Sequence, residues 1–522
     1  MREWLGKRWV LLLVLAVFVI CKLPHLSYPF YWDESWPYEA AIKAMYAHGP
    51  SLMPGAINPD LSRGHPLFFH VAAAVWMRVF GTGHVSQYSF ALLIALLLLI
   101  LVYEAGLRMF NTRVAVMSLL LISTQVVFFV QSSFMLPEVL LSLLVFASLY
   151  FYAQNKFLLA GITLILLFFT KESGLVAGFV IGIDAVINLF NKRESVKAKV
   201  LKLLAIAVPC VLIGVFFVLQ KHLLGWYIFP LHNNMIENKI SSFWYNFKYN
   251  CVTKTFYMYL RYWYFIMIGA LCVIVFMKNT VGKRGRYMLF VWPLAIAMYI
   301  IAHKAAGDVP GLFIVAVMLV WMMYCLKKLH LFQNERQQKI MILLCAFIFC
   351  FLCFSSAIFF TYRYLMEAIV ALLFFIAVLL NVLLTRTCSV LYYPVLVAII
   401  LIAYVAYRND DMDGDCDPGA FTAMEMEQGV VNYLEAHNAY DKVIGTGSFM
   451  NTVHLTDLST GFLHTDRTFT KVRWGIDNTA DYALYNSNED DPRYADIRKF
   501  GSFHLVYRFQ KDKLWAEIYE RQ

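Results

Sequence analysis

Acidic residues stand where the chain is expected to meet the surface of a membrane. Asp33 and Glu34 follow the first apolar stretch within YWDESWPY, and Glu138 opens a later stretch within FMLPEVLL. Charged side chains are costly at membrane depth, so an acid at the edge of a span needs an explanation. Two carboxylates at one face could supply a general base and a ligand for a substrate or metal. For Asp33, the structural alternative is capping of the following helix, SWPYEAAIKAMYAHG.

Imidazole and ammonium groups are predicted near the same face. His65-Pro66 starts a segment expected to lie along the interface, where proline suits the first turn of a helix. His65 could cap that helix, act as a ligand or donate to a substrate. Lys171-Glu172 lies in the polar turn of FFTKESG, and the two adjacent charges could simply pair with each other.

Two later segments add cations to this face. Arg363 lies within FFTYRYLMEA, and its planar fork matches the oxygens of a lipid phosphate. It could instead extend to the lipid headgroups, and so could His303-Lys304, which is expected on the same face. None of these residues is a strong motif alone, so their shared side of the membrane is the stronger signal.

The elements that must position these residues are membrane helices. The chain has 522 residues, of which 61% are hydrophobic and 15% charged, whereas about a quarter are charged in soluble domains. The net charge of +10 is concentrated in short loops between apolar runs, so we expect no nucleic-acid partner. The ten cysteines lie mostly in apolar runs, as Cys350 and Cys353 do, and none of them suggests a zinc site.

Apolar runs suited to about 30 Å of hydrocarbon predict thirteen transmembrane helices. Their approximate bounds are 8–23, 87–106, 114–131, 138–153, 157–170, 173–190, 203–219, 257–277, 287–302, 310–325, 339–360, 364–384 and 389–407. The first lacks a small-residue cleavage site and is interpreted as an uncleaved helix. Segment 66–80 is short and carries charge, so it is predicted to lie along the interface. The short loops rich in Lys and Arg, from Arg2 to Arg386, then fall on one side, which is the cytoplasmic side.

The predicted fold is therefore an all-α polytopic membrane domain followed by a small α/β domain outside the membrane. We expect the first over 1–407, with 24–86 as its first outer loop, and the second over 408–522. RNDDMDGDCDPG reads as a charged linker between them. Beyond it, GVVNYLEAHNAYD and DPRYADIRKF are typical of helices, and KVIGTG, DYALYN and FHLVYRF of strands.

In their order along the chain, these residues resemble the GT-C superfamily of membrane glycosyltransferases. The similar branch is the family 39-like group of protein O-mannosyltransferases and lipid A aminoarabinose transferases. The resemblance covers roughly 1–385 and rests on Asp33-Glu34, His65-Pro66, Pro137-Glu138, TKESG and Arg363-Tyr364. The chain departs from the pattern at Leu67, where the family has a second proline, and at Glu138, where aspartate is usual.

The resemblance implies an inverting glycosyltransferase with about thirteen transmembrane helices in the GT-C architecture. It would transfer one sugar from a polyprenyl-phosphate donor to a protein, lipid or envelope glycan at the outer face. Asp33 matches the family's catalytic base and Glu34 the second acid of the pair. Arg363, with Lys171 or Arg63, would neutralise the departing lipid phosphate. The further residues expected to bind substrate are His65, Glu138, Glu172, His303 and Tyr364.

Several alternatives accompany this interpretation. Asp33, Glu138 and His65 or His303 could bind a divalent metal if they converge, but the mannosyltransferase branch is not thought to need one, so we expect none. A transporter or lipid flippase is the main rival, although the internal repeats typical of transporters are not found in the sequence. A relative that binds without catalysing is a third option, which an intact Asp33 disfavours. Short loops and an uncleaved first helix indicate a bacterial inner membrane, with the site facing the periplasm.

Overall fold

The computed structural model describes most of the chain. The described residues are 2–192, 194–237, 239–277, 334–358, 361–408, 414–488 and 502–522. Two predicted spans, 287–302 and 310–325, lie outside them, and so does His303.

Helices make up the described part of the chain up to Arg408. Within the described residues, seven helical segments are long and apolar enough to cross a membrane, and four shorter apolar helices lie among them. The α-helices are Arg2–Lys22, Tyr38–His48, Pro59–Ser62, Phe68–Phe80, His84–Met109, Thr112–Ser123, Val126–Gln131, Glu138–Ala153, Phe157–Phe168, Leu175–Leu189, Val196–Leu224, Pro230–Asn233, Ile240–Tyr245, Lys254–Phe256, Tyr262–Met277, Glu335–Ser356, Met366–Thr387, Tyr392–Arg408, Gly419–Ala436 and Phe449–Thr456.

One helix forms the centre of the bundle. Met366–Thr387 packs against Thr112–Ser123, Glu138–Ala153, Tyr262–Met277 and Glu335–Ser356. In the most apolar stretch of the segment that contains it, 83% of the residues are buried by protein, whereas in that of Val196–Leu224 only 28% are. A helix that is apolar on all sides suits such a central place. The residues at its first turn are therefore enclosed by the bundle.

Two predicted helices are interrupted by a buried polar contact. Segment 114–131 is broken at Thr124 and Gln125, and the Gln125 side chain accepts a 3.1 Å hydrogen bond from buried Arg261. Segment 257–277 becomes regular only at Tyr262, because Tyr259 and Leu260 have φ angles of 52° and 61°. Hydropathy alone does not detect such an interruption, since the polar groups satisfy each other inside the bundle.

The C-terminal part contains the predicted α/β structure. Its strands are β1 Ile444–Thr446, β2 Val472–Trp474, β3 Tyr482–Asn486, β4 Phe503–Lys511 and β5 Leu514–Arg521. The sheet order is β2-β1-β3-β5-β4. β1 is parallel to β2 and β3, whereas β5 is antiparallel to β3 and β4. Strands β2 and β5 were not predicted from the sequence, and the predicted helix DPRYADIRKF lies outside the described residues.

The C-terminal domain packs directly against the first loop of the membrane domain. Phe421 and Met424 share a hydrophobic cluster with Tyr31 and Phe134. The Phe30 backbone N–H donates to the Thr460 carbonyl at 2.8 Å. The segment expected to be a linker is in part buried, because Asp415, Cys416 and Asp417 are each at most 3% exposed. The predicted fold class is confirmed, and the domain boundary at 408 stays a prediction.

Candidate active site

A single guanidinium gathers acidic residues from three distant segments. Arg363 lies in the turn that opens the central helix and is 2% exposed. Its two terminal nitrogens donate to Asp33 and Asp415, and its Nε lies 3.8 Å from Glu138 Oε1. Because a buried charge is tolerated only when it is paired, these contacts hold the three segments together.

Lys171 adds a second cation to this cluster. Its Nζ donates to Glu138 Oε1 at 3.1 Å and lies 4.0 Å from the centre of the Tyr364 ring. Lys171 comes from the turn between the helices Phe157–Phe168 and Leu175–Leu189. The adjacent Lys171 and Glu172 therefore do not simply pair with each other, which was the structural alternative. We call Asp33, Glu138, Lys171, Arg363 and Asp415 the charge cluster.

Several buried polar atoms around the charge cluster have no hydrogen-bond partner among the described residues. They are Arg363 Nε, Glu138 Oε2 and Glu367 Oε2. Buried polar groups are almost always hydrogen-bonded, because an unsatisfied one costs roughly 1–3 kcal/mol. Groups of this kind suit a site whose remaining partners are the oxygens and hydroxyls of a polar substrate.

The two adjacent acids of the first loop have different surroundings. The Asp33 side chain is 37% exposed while it contacts Arg363. Glu34 is fully buried, and its carboxylate accepts hydrogen bonds from the backbone N–H of Met135 and the Tyr88 hydroxyl. Burial raises the pKa of Glu34 well above its usual value, and the Met135 N–H opposes that shift. Asp33 is thus accessible to a substrate, whereas Glu34 ties the loop to the turn before Glu138.

Tyr38 lies beside the charge cluster and was not predicted from the sequence. Its ring is parallel to that of His70, with the ring centres 5.8 Å apart. Burial raises the pKa of the Tyr38 hydroxyl, while the nearby charge of Lys171 opposes the shift. Tyr38 therefore offers a protonated hydroxyl five residues after Asp33.

A second polar group adjoins the charge cluster through Glu172. His65 Nδ1 lies 2.6 Å from Glu172 Oε2, and the ring centres of His65 and His232 are 5.0 Å apart. Burial and the neighbouring His65 lower the pKa of His232 to about 4, so its ring is neutral at pH 7. His232 belongs to the Trp- and Tyr-rich loop 220–256, which thus closes over the turn that carries His65.

Arg63 and Gly64 shape the same turn. The Arg63 guanidinium lies over the Trp36 ring, 4.8 Å from its centre, which places it next to the Asp33 loop. Gly64 has a φ of +71°, and a Cβ there would lie 2.8 Å from Trp226 and 2.9 Å from Phe229. Only glycine permits both this backbone conformation and this close approach.

The structure brings most of the predicted residues to one end of the bundle. Asp33, Glu138, Lys171, Arg363 and Tyr364 meet in or beside the charge cluster, with His65, Glu172 and Arg63 around it and Glu34 behind it. The residues that were missed are Tyr38, His232, Glu367 and Asp415. For Asp415, the available signal was the repeated aspartates in DGDCDPG together with an arginine that needs acidic partners. Within the described residues, no group of three or more His, Cys, Asp or Glu is arranged to hold a metal ion.

Comparisons with known proteins found similarity only among solved structures. No protein-family model matches the sequence, and no curated protein matches it. ArnT from Cupriavidus metallidurans bound to undecaprenyl phosphate is 14% identical, with 98% of both chains covered and a TM-score of 0.39. The archaeal oligosaccharyltransferase AglB from Archaeoglobus fulgidus, in complex with an inhibitory peptide and a dolichol-phosphate, is 10% identical. That match covers 98% of this chain and 74% of AglB, with a TM-score of 0.45.

A third similar structure is the arabinofuranosyltransferase AftD from Mycobacteria. It is 12% identical, and the match covers 99% of this chain and 40% of AftD with a TM-score of 0.36. AglB is named as an oligosaccharyltransferase and AftD as an arabinofuranosyltransferase. Because all these TM-scores are below 0.5, we transfer no residue role from these proteins and base the function on the residues of this chain.

Proposed function

We propose that this chain is an inverting membrane glycosyltransferase that transfers one sugar from a polyprenyl-phosphate donor to an acceptor hydroxyl. The observation that carries the proposal is the buried Arg363, which contacts an accessible carboxylate, Asp33, at the end of an apolar helix bundle. A phosphate-binding cation and a general base are thereby adjacent, and these are the two groups that such a transfer needs.

The donor side of the reaction is assigned to the two cations. Arg363 and Lys171 would bind the phosphate that joins the sugar to the lipid, and the Arg363 Nε still has an N–H to donate. As the bond between the anomeric carbon and the phosphate oxygen breaks, negative charge grows on the leaving phosphate. Preorganised cations at that position stabilise the transition state. The apolar helices around the site would accommodate the prenyl tail.

The acceptor side is assigned to Asp33. The acceptor oxygen would attack the anomeric carbon from the face opposite the phosphate, so the anomeric centre inverts. The acceptor proton passes to Asp33, and the polyprenyl phosphate leaves with the electron pair of the broken bond. In the free protein Asp33 is paired with Arg363. A donor phosphate that takes over part of the guanidinium would release the carboxylate for this task.

The remaining residues are assigned to binding and support. His65, Glu172, Arg63 and Tyr364 would contact the sugar or acceptor, because they surround the charge cluster. Glu34 would hold the Asp33 loop in place through its contacts with Met135 and Tyr88. We place the site on the periplasmic side of a bacterial inner membrane and expect a protein, lipid or envelope glycan as acceptor.

The test is sugar transfer by purified protein from a panel of polyprenyl-phosphate sugars, with Asp33→Asn compared with the wild type. We expect one donor to be consumed and its turnover to fall about 10²- to 10⁴-fold in the variant. Binding of labelled polyprenyl phosphate should persist. Asp60→Asn is the matched control, because Asp60 is an exposed aspartate of the same loop.

Two outcomes would contradict the proposal. Equal turnover in Asp33→Asn and the wild type would place the base elsewhere. If no donor of the panel is consumed while polyprenyl phosphate still binds, the transporter or flippase interpretation is favoured instead.

A further inference from the structure

A buried serine, histidine and glutamate join the C-terminal domain to the loop that carries Asp33. Ser35 Oγ lies 3.3 Å from His454 Nε2, and His454 Nδ1 lies 2.8 Å from Glu427 Oε2. All three residues are 1% exposed. Ser35 follows Asp33 by two positions, whereas His454 and Glu427 belong to the C-terminal domain.

This trio does not have the surroundings of a nucleophilic triad. The Ser35 hydroxyl donates a 2.5 Å hydrogen bond to the Phe30 carbonyl, so its oxygen accepts a hydrogen bond from His454. A nucleophilic serine instead needs its proton directed at the histidine and its oxygen open to a substrate. A connection between two parts of the fold is the role that these contacts support.

The histidine and glutamate are themselves held in place. The His454 ring stacks on Phe462, with the ring centres 3.7 Å apart. Glu427 Oε1 accepts from Asn488, which also donates to the Tyr31 hydroxyl. His454 Nδ1 and Glu427 Oε2 are close but are not aligned for a hydrogen bond, so the ring is held there mainly by its packing.

Further contacts from the same domain hold both ends of the loop. At its start, the Phe30 N–H donates to the Thr460 carbonyl at 2.8 Å. At its end, the Ser459 hydroxyl donates to Glu39 at 3.1 Å. The C-terminal domain therefore contacts the loop before, within and after its acidic pair.

The loop needs such support because few contacts within the loop itself fix its conformation. Asp33 lies in a three-residue 3₁₀ turn, Trp32–Glu34. Trp32 has a φ of 55°, a conformation that a bulky residue rarely adopts unless its surroundings impose it. A turn of this kind is kept by external contacts rather than by its few internal hydrogen bonds.

We propose that the C-terminal domain sets the position of Asp33 through Ser35, His454 and Glu427, and that His454 is a positioning residue. The domain would then be part of the active site rather than a separate module that only holds the acceptor. The kinetic consequence rests on the proposed glycosyl transfer. A misplacement of about 1 Å in a reacting group can reduce turnover by roughly a hundredfold.

The kinetic test compares Ser35→Ala and His454→Phe with His464→Phe. The last is the matched control, because His464 pairs with Glu435 on the same helix as Glu427 but its side chain is 59% exposed. We expect kcat to fall about ten- to a hundredfold in Ser35→Ala and His454→Phe, with the donor KM nearly unchanged. His454→Gln, which can again donate to Ser35, should recover part of kcat. An unchanged kcat in both Ser35→Ala and His454→Phe would overturn the proposal.

Hydrogen exchange tests the same inference without any activity. The backbone N–H groups of Glu34 and Ser35 donate to the carbonyls of Tyr31 and Trp32. Their exchange should accelerate in His454→Phe and Ser35→Ala and stay unchanged in His464→Phe. If the wild type transfers no sugar, the proposed function fails while this measurement still decides the inference. Unchanged exchange in Ser35→Ala, the mildest variant, would refute it even if His454→Phe did not fold.

Discussion

The helix bundle carries charged side chains at both of its ends, and the two groups are built differently. The charge cluster lies where the helix Glu138–Ala153 begins. Near the other end of this helix, Tyr152 contacts Asp184, and the 14 residues from Glu138 to Tyr152 correspond to about 21 Å. The same bundle therefore presents two polar groups in one apolar setting, which makes their differences informative.

The Asp184 carboxylate finds its partners within the helix bundle. Asp184 Oδ2 accepts from the Tyr152 hydroxyl at 2.7 Å and from Asn188 at 2.9 Å, and it lies 3.3 Å from Lys339 Nζ. Within the described residues, none of these side chains has a buried polar atom without a partner. The Asp184 carboxylate and its three donors thus satisfy one another's polar groups.

The charge cluster, by contrast, has three carboxylates for two cations, and among the described residues Arg363 Nε and Glu138 Oε2 have no hydrogen-bond partner. Asp33 is also open to solvent there. In a structural polar group the polar atoms form hydrogen bonds with each other, whereas in a binding site some of them are paired only when the ligand binds. This difference favours the Arg363 end as the place of chemistry and assigns the Asp184 end a role in packing.

The largest difference between the two ends should appear when the cation at each end is replaced by the other basic residue, arginine by lysine and lysine by arginine. Arg363→Lys keeps one charge but loses the fork that contacts Asp33 and Asp415, so turnover should fall about 10²- to 10³-fold. Lys339→Arg at the other end should leave turnover unchanged. Steady-state sugar transfer measures both. Equal effects of the two variants would remove the distinction between the ends.

A smaller effect is expected from neutralising one carboxylate at each end. Glu138→Gln weakens the contact with Lys171, and turnover should fall about tenfold or more, since a hydrogen bond to a charged group contributes roughly 1.5–3 kcal/mol. Asp184→Asn should lower thermal stability and preserve turnover. The comparison breaks down if Asp184→Asn reduces turnover as strongly as Glu138→Gln does.

The smallest effect concerns a single hydroxyl at the Asp184 end. Tyr152→Phe removes the 2.7 Å hydrogen bond to Asp184 and should lower the free energy of unfolding by roughly 1–2 kcal/mol. Thermal or denaturant unfolding in detergent measures this loss. Sugar transfer at a temperature where the variant is folded should equal that of the wild type, and a clear loss of turnover would speak against a purely structural Asp184 end.

Sequence patterns predicted the helices well and the polar contacts between them poorly. Apolar runs are detected locally, so the central helix, the helix that begins at Glu138 and the two helices on either side of Lys171 were located within a few residues. The break at Gln125 was missed, because it depends on Arg261, which is 136 positions away. The charged stretch before the C-terminal domain was predicted to be a linker, yet Asp415 is buried against Arg363.

The candidate site likewise has features that the sequence predicted and features that it did not. Asp33, Glu138, Lys171 and Arg363 were expected on one face, because each lies at the end of an apolar run and membrane topology assigns those ends to a side. The different surroundings of Asp33 and Glu34 could not be predicted, since adjacent residues of the same type differ only in what packs against them. The contact between Ser35 and His454 joins residues 419 positions apart.

The sequence by itself determined that this chain forms apolar helices with a polar C-terminal α/β domain, and that its acids and cations collect at helix ends. These properties follow from hydropathy and from the cost of charge in lipid, which act on short stretches of chain. Only the tertiary structure decided that Arg363 lies between Asp33 and Asp415, and that the C-terminal domain holds the Asp33 loop. Such pairings depend on which distant segments the packing brings within hydrogen-bond distance, and no local pattern encodes that choice.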